Sequence, residues 1–148
     1  MTPKQTDLIR TTYQRAKRIA PHFAATFYAE LFAIDPTLRR LFSGDMVRQG
    51  AALMGSLDYV VEGVSAFESI APALRALAQR HAGYGVEPQH YPLVGTALMR
   101  TFRHELGAEF GAEAREAWSA AYRMISETMI AAAYGPISAS NPAASPRR

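Results

Sequence analysis

The sequence predicts an all-α domain of about six to eight crossed helices. Apolar residues recur at helical spacing along nearly all of the chain up to residue 134. Capping signals, prolines and glycines cut this pattern into segments of unequal length, and no stretch alternates as a strand does. Unequal segments argue against a simple four-helix bundle. With 148 residues, 49% of them hydrophobic and 20% charged, the chain fits one domain with one good core.

The elements follow in order. Thr2-Pro3-Lys4-Gln5 reads as a capping box with proline at the first helical position, and the helix it opens runs to about Ile19. A second helix opens near Pro21 and presents Phe23, Phe27, Tyr28, Leu31 and Phe32. Asp35-Pro36 stops it and starts a short helical turn from Thr37 to Phe42, followed by a Ser43-Gly44-Asp45 loop. A long helix spans about Met46 to Val64, with Leu53, Leu57, Val60, Val61 and Val64 on one face. Ser65-Ala66-Phe67-Glu68 reads as a second capping box, with Pro72 in an early turn of the next helix. That helix ends near His81, because Gly83 and Gly85 follow. Pro88 opens another helix that continues through Leu106, where Gly107 and Gly111 break it. The last helix runs from about Ala112 to Ala133 and stacks Trp118, Tyr122, Ile125 and Met129. Residues 1–134 thus form the folded domain. Residues 135–148, small, polar and proline-rich, are expected to be a disordered tail.

Composition removes whole classes of chemistry. There is no cysteine, which excludes disulfides, iron–sulfur clusters, thiolate zinc sites, a cysteine nucleophile and covalent c-type haem attachment. No apolar run approaches the roughly 18 residues of a membrane span. Met1 to Gln5 carries no apolar signal core. A cytoplasmic protein is expected. The net charge of +3 includes the terminal Arg147 and Arg148, and no acid follows Glu127. The body is therefore nearly neutral, and its basic residues are scattered rather than gathered into a face that would bind nucleic acid.

Few residues offer chemistry. His81 lies four residues after Leu77 and seven after Leu74, so its imidazole shares an apolar stripe. On spacing alone it is either a core histidine with a satisfied hydrogen bond or a neutral axial ligand for a metal. Tyr28 places a phenol on an otherwise apolar face, and Gln49 stands one turn before Leu53. Each alone is either solvated or, with the other, a donor pair lining a pocket for a small polar ligand. His22, His90 and His104 stand at no metal-ligand spacing and read as surface residues. Neither a Ser-His-Asp pattern, a phosphate-cradling glycine loop nor an acidic metal cluster is present.

These residues meet a family. Phe27-Tyr28-Ala29-Glu30-Leu31-Phe32, Asp35 to Phe42, Leu77 to His81, Gly85 to Gly95 and Trp118 to Tyr122 together resemble bacterial globins of the flavohaemoglobin-like class, over about residues 5 to 133. The match is to the single-domain, haem-only members. The resemblance implies a globin fold around a haem pocket and a non-covalent haem b that reversibly binds dioxygen and other diatomics. It makes His81 the proximal iron ligand through Nε2, with Nδ1 donating a hydrogen bond to a carbonyl such as that of Leu77, itself part of the pocket. It makes Phe42 the ring that packs on the porphyrin and Tyr28 and Gln49 the distal pair. Leu53 stands beside the sixth position, and Val86, Val94 and Leu98 are aliphatic contacts. Tyr91 lies under the proximal side. Arg80 either reaches a haem propionate or is merely exposed.

Two departures qualify the resemblance. A glutamate in the last helix of flavohaemoglobins joins the proximal histidine and tyrosine. Counted from Trp118, that position here is Ala133. Glu127 lies six residues earlier, about 240° round an ideal helix, and cannot replace it. The flavin and nicotinamide domains are also absent, so nitric oxide dioxygenation, the enzyme reading, would need a separate reductase. A haem-free helical adaptor is the reading from another class, and a red preparation with a Soret band would remove it.

Overall fold

A computed structural model describes residues 1–135; the expected tail lies outside that range apart from Gly135. Six α-helices account for most of the described chain, with no strand among the described residues. They are α1 (Pro3–Arg18), α2 (Ala20–Ile34), α3 (Met46–Gly63), α4 (Phe67–Gly83), α5 (His90–Leu106) and α6 (Ala112–Tyr134). Short 3₁₀ turns at Pro36–Leu41, Val64–Ala66 and Gly107–Glu109 join them.

Three helical N-termini carry a side-chain cap. Thr2 Oγ1 accepts from the Gln5 amide at 3.1 Å, and Gln5 Oε1 accepts from the Thr2 amide at 3.0 Å. Asp35 caps the 36–41 turn by accepting from the Thr37 amide at 3.0 Å, and Asp45 caps α3 by accepting from the Val47 amide at 2.9 Å. The second capping box does not form. The N-cap of α4 is Ala66, which has no side-chain bond, and Ser65 instead receives a hydrogen bond from Arg10 at 3.1 Å. A partner 55 residues away in sequence has displaced the local one. Pro72 then falls in the second turn of α4, where its missing amide leaves the Glu68 carbonyl without a helical donor. Both residues are exposed, so water can serve that carbonyl.

Packing produces two apolar clusters rather than one. The larger centres on α1, α2, α5 and α6. Phe102 lies 5.0 Å from Phe23 edge-on, 5.0 Å from Phe110 and 4.6 Å from Trp118, ring centre to ring centre. Trp118 is buried yet satisfied, because its indole N–H donates to Thr12 Oγ1 at 2.9 Å. The smaller cluster joins Val60, Ile70, Leu74, Ala78, Tyr91 and Met129, chiefly from α4 and α6. Close approach of α5 and α6 requires Gly95: a Cβ there would lie 2.7 Å from the Tyr122 ring. The apolar sequence candidates divide between the two clusters.

Candidate functional site

α4 carries His81 near its C-terminal end. Its Nδ1 donates to the Leu77 carbonyl one turn earlier, at 3.0 Å. That bond assigns the proton to Nδ1 and leaves the Nε2 lone pair uncommitted. The imidazole is half-buried, and burial pushes its pKa below the usual histidine value; the bond to Leu77 opposes this and the Arg80 charge adds to it. His81 is therefore a neutral donor of electron density at pH 7. After Gly83 the chain doubles back: the Tyr84 and Val86 amides donate to the His81 carbonyl at 3.0 and 3.1 Å. Gly85 makes the reversal at φ +97°, a conformation that strains any residue with a Cβ. A Cβ there would sit 3.4 Å from Leu41, so this loop lies against the end of the 36–41 turn.

Beyond Leu41 stands an aromatic group. Phe42 meets Tyr28 at 5.2 Å and Phe32 at 5.7 Å, both edge-on. Tyr28 also lies 5.1 Å from Phe27, edge-on. Arg39 covers Phe32 at 4.8 Å. The Tyr28 hydroxyl donates to the main-chain carbonyl of Gln49 at 3.1 Å. Burial pushes its pKa up to about 12, so it stays a protonated donor. The Gln49 amide makes a long contact of 3.4 Å with the Ser43 carbonyl. The fold thus brings Tyr28 and Gln49 together, with both donors turned onto main-chain carbonyls.

The apolar candidates fall into two groups. Phe42, Leu53 and Val94 pack on the larger cluster, and Leu77 and Val86 on the smaller, all half-buried. Leu98 and Tyr91 lie deeper, at 4% and 6% exposure. The Tyr91 hydroxyl is buried without a partner among the described residues, and burial pushes its pKa up to about 12. Ala132 and Ala133 pack on this cluster, while Glu127 is exposed, so no carboxylate from α6 stands beside Tyr91 at position 133. Arg80 is exposed.

Three residues escaped the sequence reading. His90 is buried at 8% exposure rather than at the surface, because its Nδ1 accepts from the Glu87 amide at 2.9 Å and closes the turn before α5. The Pro88 turn leaves that amide needing an acceptor, which was the available signal. His22 and His104 are exposed as expected, His22 pairing with Glu105 at 3.0 Å. Gln79 and Tyr134 also bond across elements, Gln79 to the Ala132 carbonyl and Tyr134 to that of Val86.

The donor set decides what can bind. A single neutral imidazole holds a bare metal ion poorly, and no group of three metal-ligating side chains occurs among the described residues. A metal held at His81 must arrive with most of its ligands already supplied. A half-buried rim of Phe, Leu and Val side chains suits a flat apolar macrocycle that brings them. The separate open cleft of about 420 Å³ between α5 and α6 does not include His81.

Known proteins share this fold. The family model described as Globin matches residues 25–129. A flavohemoprotein of Vibrio cholerae is 25% identical over 133 residues, 88% of this chain and 34% of that protein. One from Burkholderia sp. (strain TH2) is 32% identical over 111 residues, 70% of this chain and 28% of that protein. The chain thus spans about a third or less of the length of these relatives. A bacterial globin of Campylobacter jejuni shares the fold at TM-score 0.77 and 22% identity, covering 88% of this chain and 95% of its own. An engineered carbene transferase, from a proposed nitric oxide dioxygenase of Rhodothermus marinus, gives TM-score 0.77 at 25% identity, with 87% and 90% covered.

Proposed function

Because this chain belongs to the globin family, we propose that residues 1–134 form a globin domain that holds haem b non-covalently and reversibly binds dioxygen and other diatomic ligands. The observation that carries this reading is His81: neutral, half-buried, with Nδ1 on the Leu77 carbonyl and Nε2 uncommitted. Phe42, Leu53, Leu77, Val86, Tyr91, Val94 and Leu98 would wall the group, and Arg80 would reach a propionate. The absence of cysteine removes thioether attachment, which supports a non-covalent haem. When bound, the haem supplies an iron whose open face takes the diatomic. The protein's own part is to hold the iron through one imidazole, to exclude water with the aromatic group around Phe42, and to offer Tyr28 and Gln49 as hydrogen-bond donors. The Tyr28 proton has to turn from the Gln49 carbonyl to a ligand, exchanging one hydrogen bond for another. The reading places the protein in the cytoplasm, with no nucleic-acid partner.

Kinship with flavohemoproteins and with the Rhodothermus marinus protein favours a second reading, nitric oxide dioxygenation with electrons from a separate reductase. Titration of the purified chain with haemin tests the first. A Soret band that saturates at one haem per chain, and a shift with carbon monoxide after reduction, are expected. No saturable band would sink it. Nitrate formation from nitric oxide by the oxygen-loaded protein, sustained only when a reductase is added, tests the second.

A further inference from the structure

α6 ends beside His81, and its last turn is hydrogen-bonded to both sides of that residue. Gln79, two residues before His81, donates from Nε2 to the Ala132 carbonyl at 2.8 Å. Ala132 lies in the last turn of α6, whose final carbonyls have no helical donor, so Gln79 satisfies an acceptor that the helix leaves open. The Tyr134 hydroxyl donates to the Val86 carbonyl, five residues after His81. The amide of the same Val86 donates to the His81 carbonyl at 3.1 Å. The contact from α6 therefore passes through one residue to the main chain of His81 itself.

α4 needs such outside support. It has no side-chain N-cap, Pro72 removes a backbone bond in its second turn, and glycines at 83 and 85 follow its histidine. Leu77, Val86, Ala132 and Ala133 all pack on the smaller cluster, which holds the segment near the end of α6 but gives it no fixed angle, since such contacts are non-directional. The two hydrogen bonds supply direction. Gln79 and Tyr134 are both exposed, so hydrogen bonds rather than burial tie them to their partners.

We propose that Gln79 and Tyr134 are positioning residues that clamp the His81 turn onto the end of α6 and so fix where Nε2 meets the metal. The proposal rests on the haem reading above. It assigns the two residues no contact with haem; they act through Ala132 and Val86.

The test uses the full haem-loaded chain and four variants: Gln79→Leu, Gln79→Lys, Tyr134→Phe and the double Gln79→Leu/Tyr134→Phe. Resonance Raman of the ferrous proteins reads the iron–histidine stretch, and transfer of haem to excess apomyoglobin reads its retention. Gln79→Leu and Tyr134→Phe should each lower and broaden the stretch, and each should speed haem loss about three- to tenfold, the scale of one lost hydrogen bond. Gln79→Lys restores a donor to the Ala132 carbonyl and should return both readouts toward wild type. An unchanged stretch with haem loss within about twofold in the double variant overturns the proposal, even if the apoprotein melts earlier. Should Gln79→Leu fail to fold, Tyr134→Phe decides alone, since it removes one exposed oxygen. A wild type without an iron–histidine band sinks the haem reading and the clamp together. A normal wild-type band with unaltered variants sinks only the clamp.

Discussion

Tyr28 belongs to the larger apolar cluster, whereas His81 follows Leu77 and Ala78 of the smaller one on α4, and their polar atoms are treated differently. On the Tyr28 side the Phe27 and Phe42 rings meet Tyr28 edge-on and Phe32 stacks on it, and each donor already has a main-chain acceptor. On the His81 side one ring nitrogen is bonded and the other is uncommitted, and the neighbouring Tyr91 hydroxyl is buried with no partner. A ligand on the first side must compete with existing hydrogen bonds. A metal on the second side gains a free lone pair. Under the function proposed above, the difference assigns affinity for the prosthetic group to the α4 side and leaves the Tyr28 side to adjust what that group would bind.

The largest expected effect breaks the α4 side outright. His81→Ala removes the one nitrogen available to the iron, so the variant should purify largely without haem. Equal haem content and an unaltered spectrum would refute the proximal assignment. Removing a group that binds only the folded state also lowers stability, so the apoprotein should melt below the loaded protein.

Changes on the Tyr28 side should act on kinetics rather than on haem content. A hydrogen bond to a partly charged acceptor is worth roughly 1.5–3 kcal/mol, while a neutral one to a carbonyl is worth about 1 kcal/mol. Tyr28 exchanges the second for the first, so its net contribution is about 0.5–2 kcal/mol. Tyr28→Phe should then speed dioxygen release about two- to thirtyfold, and Gln49→Ala less, because its amide contact is long and half-exposed. Stopped-flow displacement by carbon monoxide measures both, and equal rates in wild type and Tyr28→Phe would show that the phenol keeps its proton on Gln49.

The buried phenols give a pH dependence shared by both sides. Burial raises the folded-state pKa of Tyr28 and Tyr91 to about 12, above the value of about 10 in an unfolded chain, and raises Tyr13 and Tyr122 as well. Between these values the unfolded state releases protons that the folded state retains. Stability is thus fully present below pH 10 and falls as pH rises through 12. Urea midpoints from pH 8 to 11 should decline beyond about pH 10, and Tyr28→Phe should flatten part of that decline.

How much was legible in the sequence follows the range of each interaction. The Thr2–Gln5 box, the stop at Asp35, the end of α5 at Leu106 and the start of α6 at Ala112 depend on neighbours within a turn, and they are where the sequence puts them; the Asp45 cap and the α5 start at His90 rather than Pro88 come from the structure. Ser65 was misread because Arg10, distant in sequence, claims its hydroxyl. His90 was misread because helical periodicity does not register a side chain that folds back onto Glu87. The Leu77 partner of His81 lies one turn away and was foreseen. The directions of the Tyr28 and Gln49 donors were not, since they depend on where the start of α3 lies against α2.

The smallest expected effect sharpens the comparison most. Tyr91 presents a buried donor beside Ala133 and Tyr134 with nothing to accept it. An unpaired buried hydroxyl costs about 1–3 kcal/mol, and deleting it removes that penalty. Tyr91→Phe should therefore leave the apoprotein equally stable or slightly more so, against the usual loss for a buried substitution. Ala133→Glu makes the opposite move. If residue 133 points at the Tyr91 hydroxyl, the new carboxylate accepts from it and brings negative charge toward His81, which raises the iron–histidine stretch. The wild type, with no such carboxylate, should show the lower stretch of an oxygen-binding globin and weak peroxidase activity. A high wild-type stretch would mean that another acid reaches His81. A stretch unmoved by Ala133→Glu would place residue 133 out of line with Tyr91 and return the partnerless hydroxyl to water.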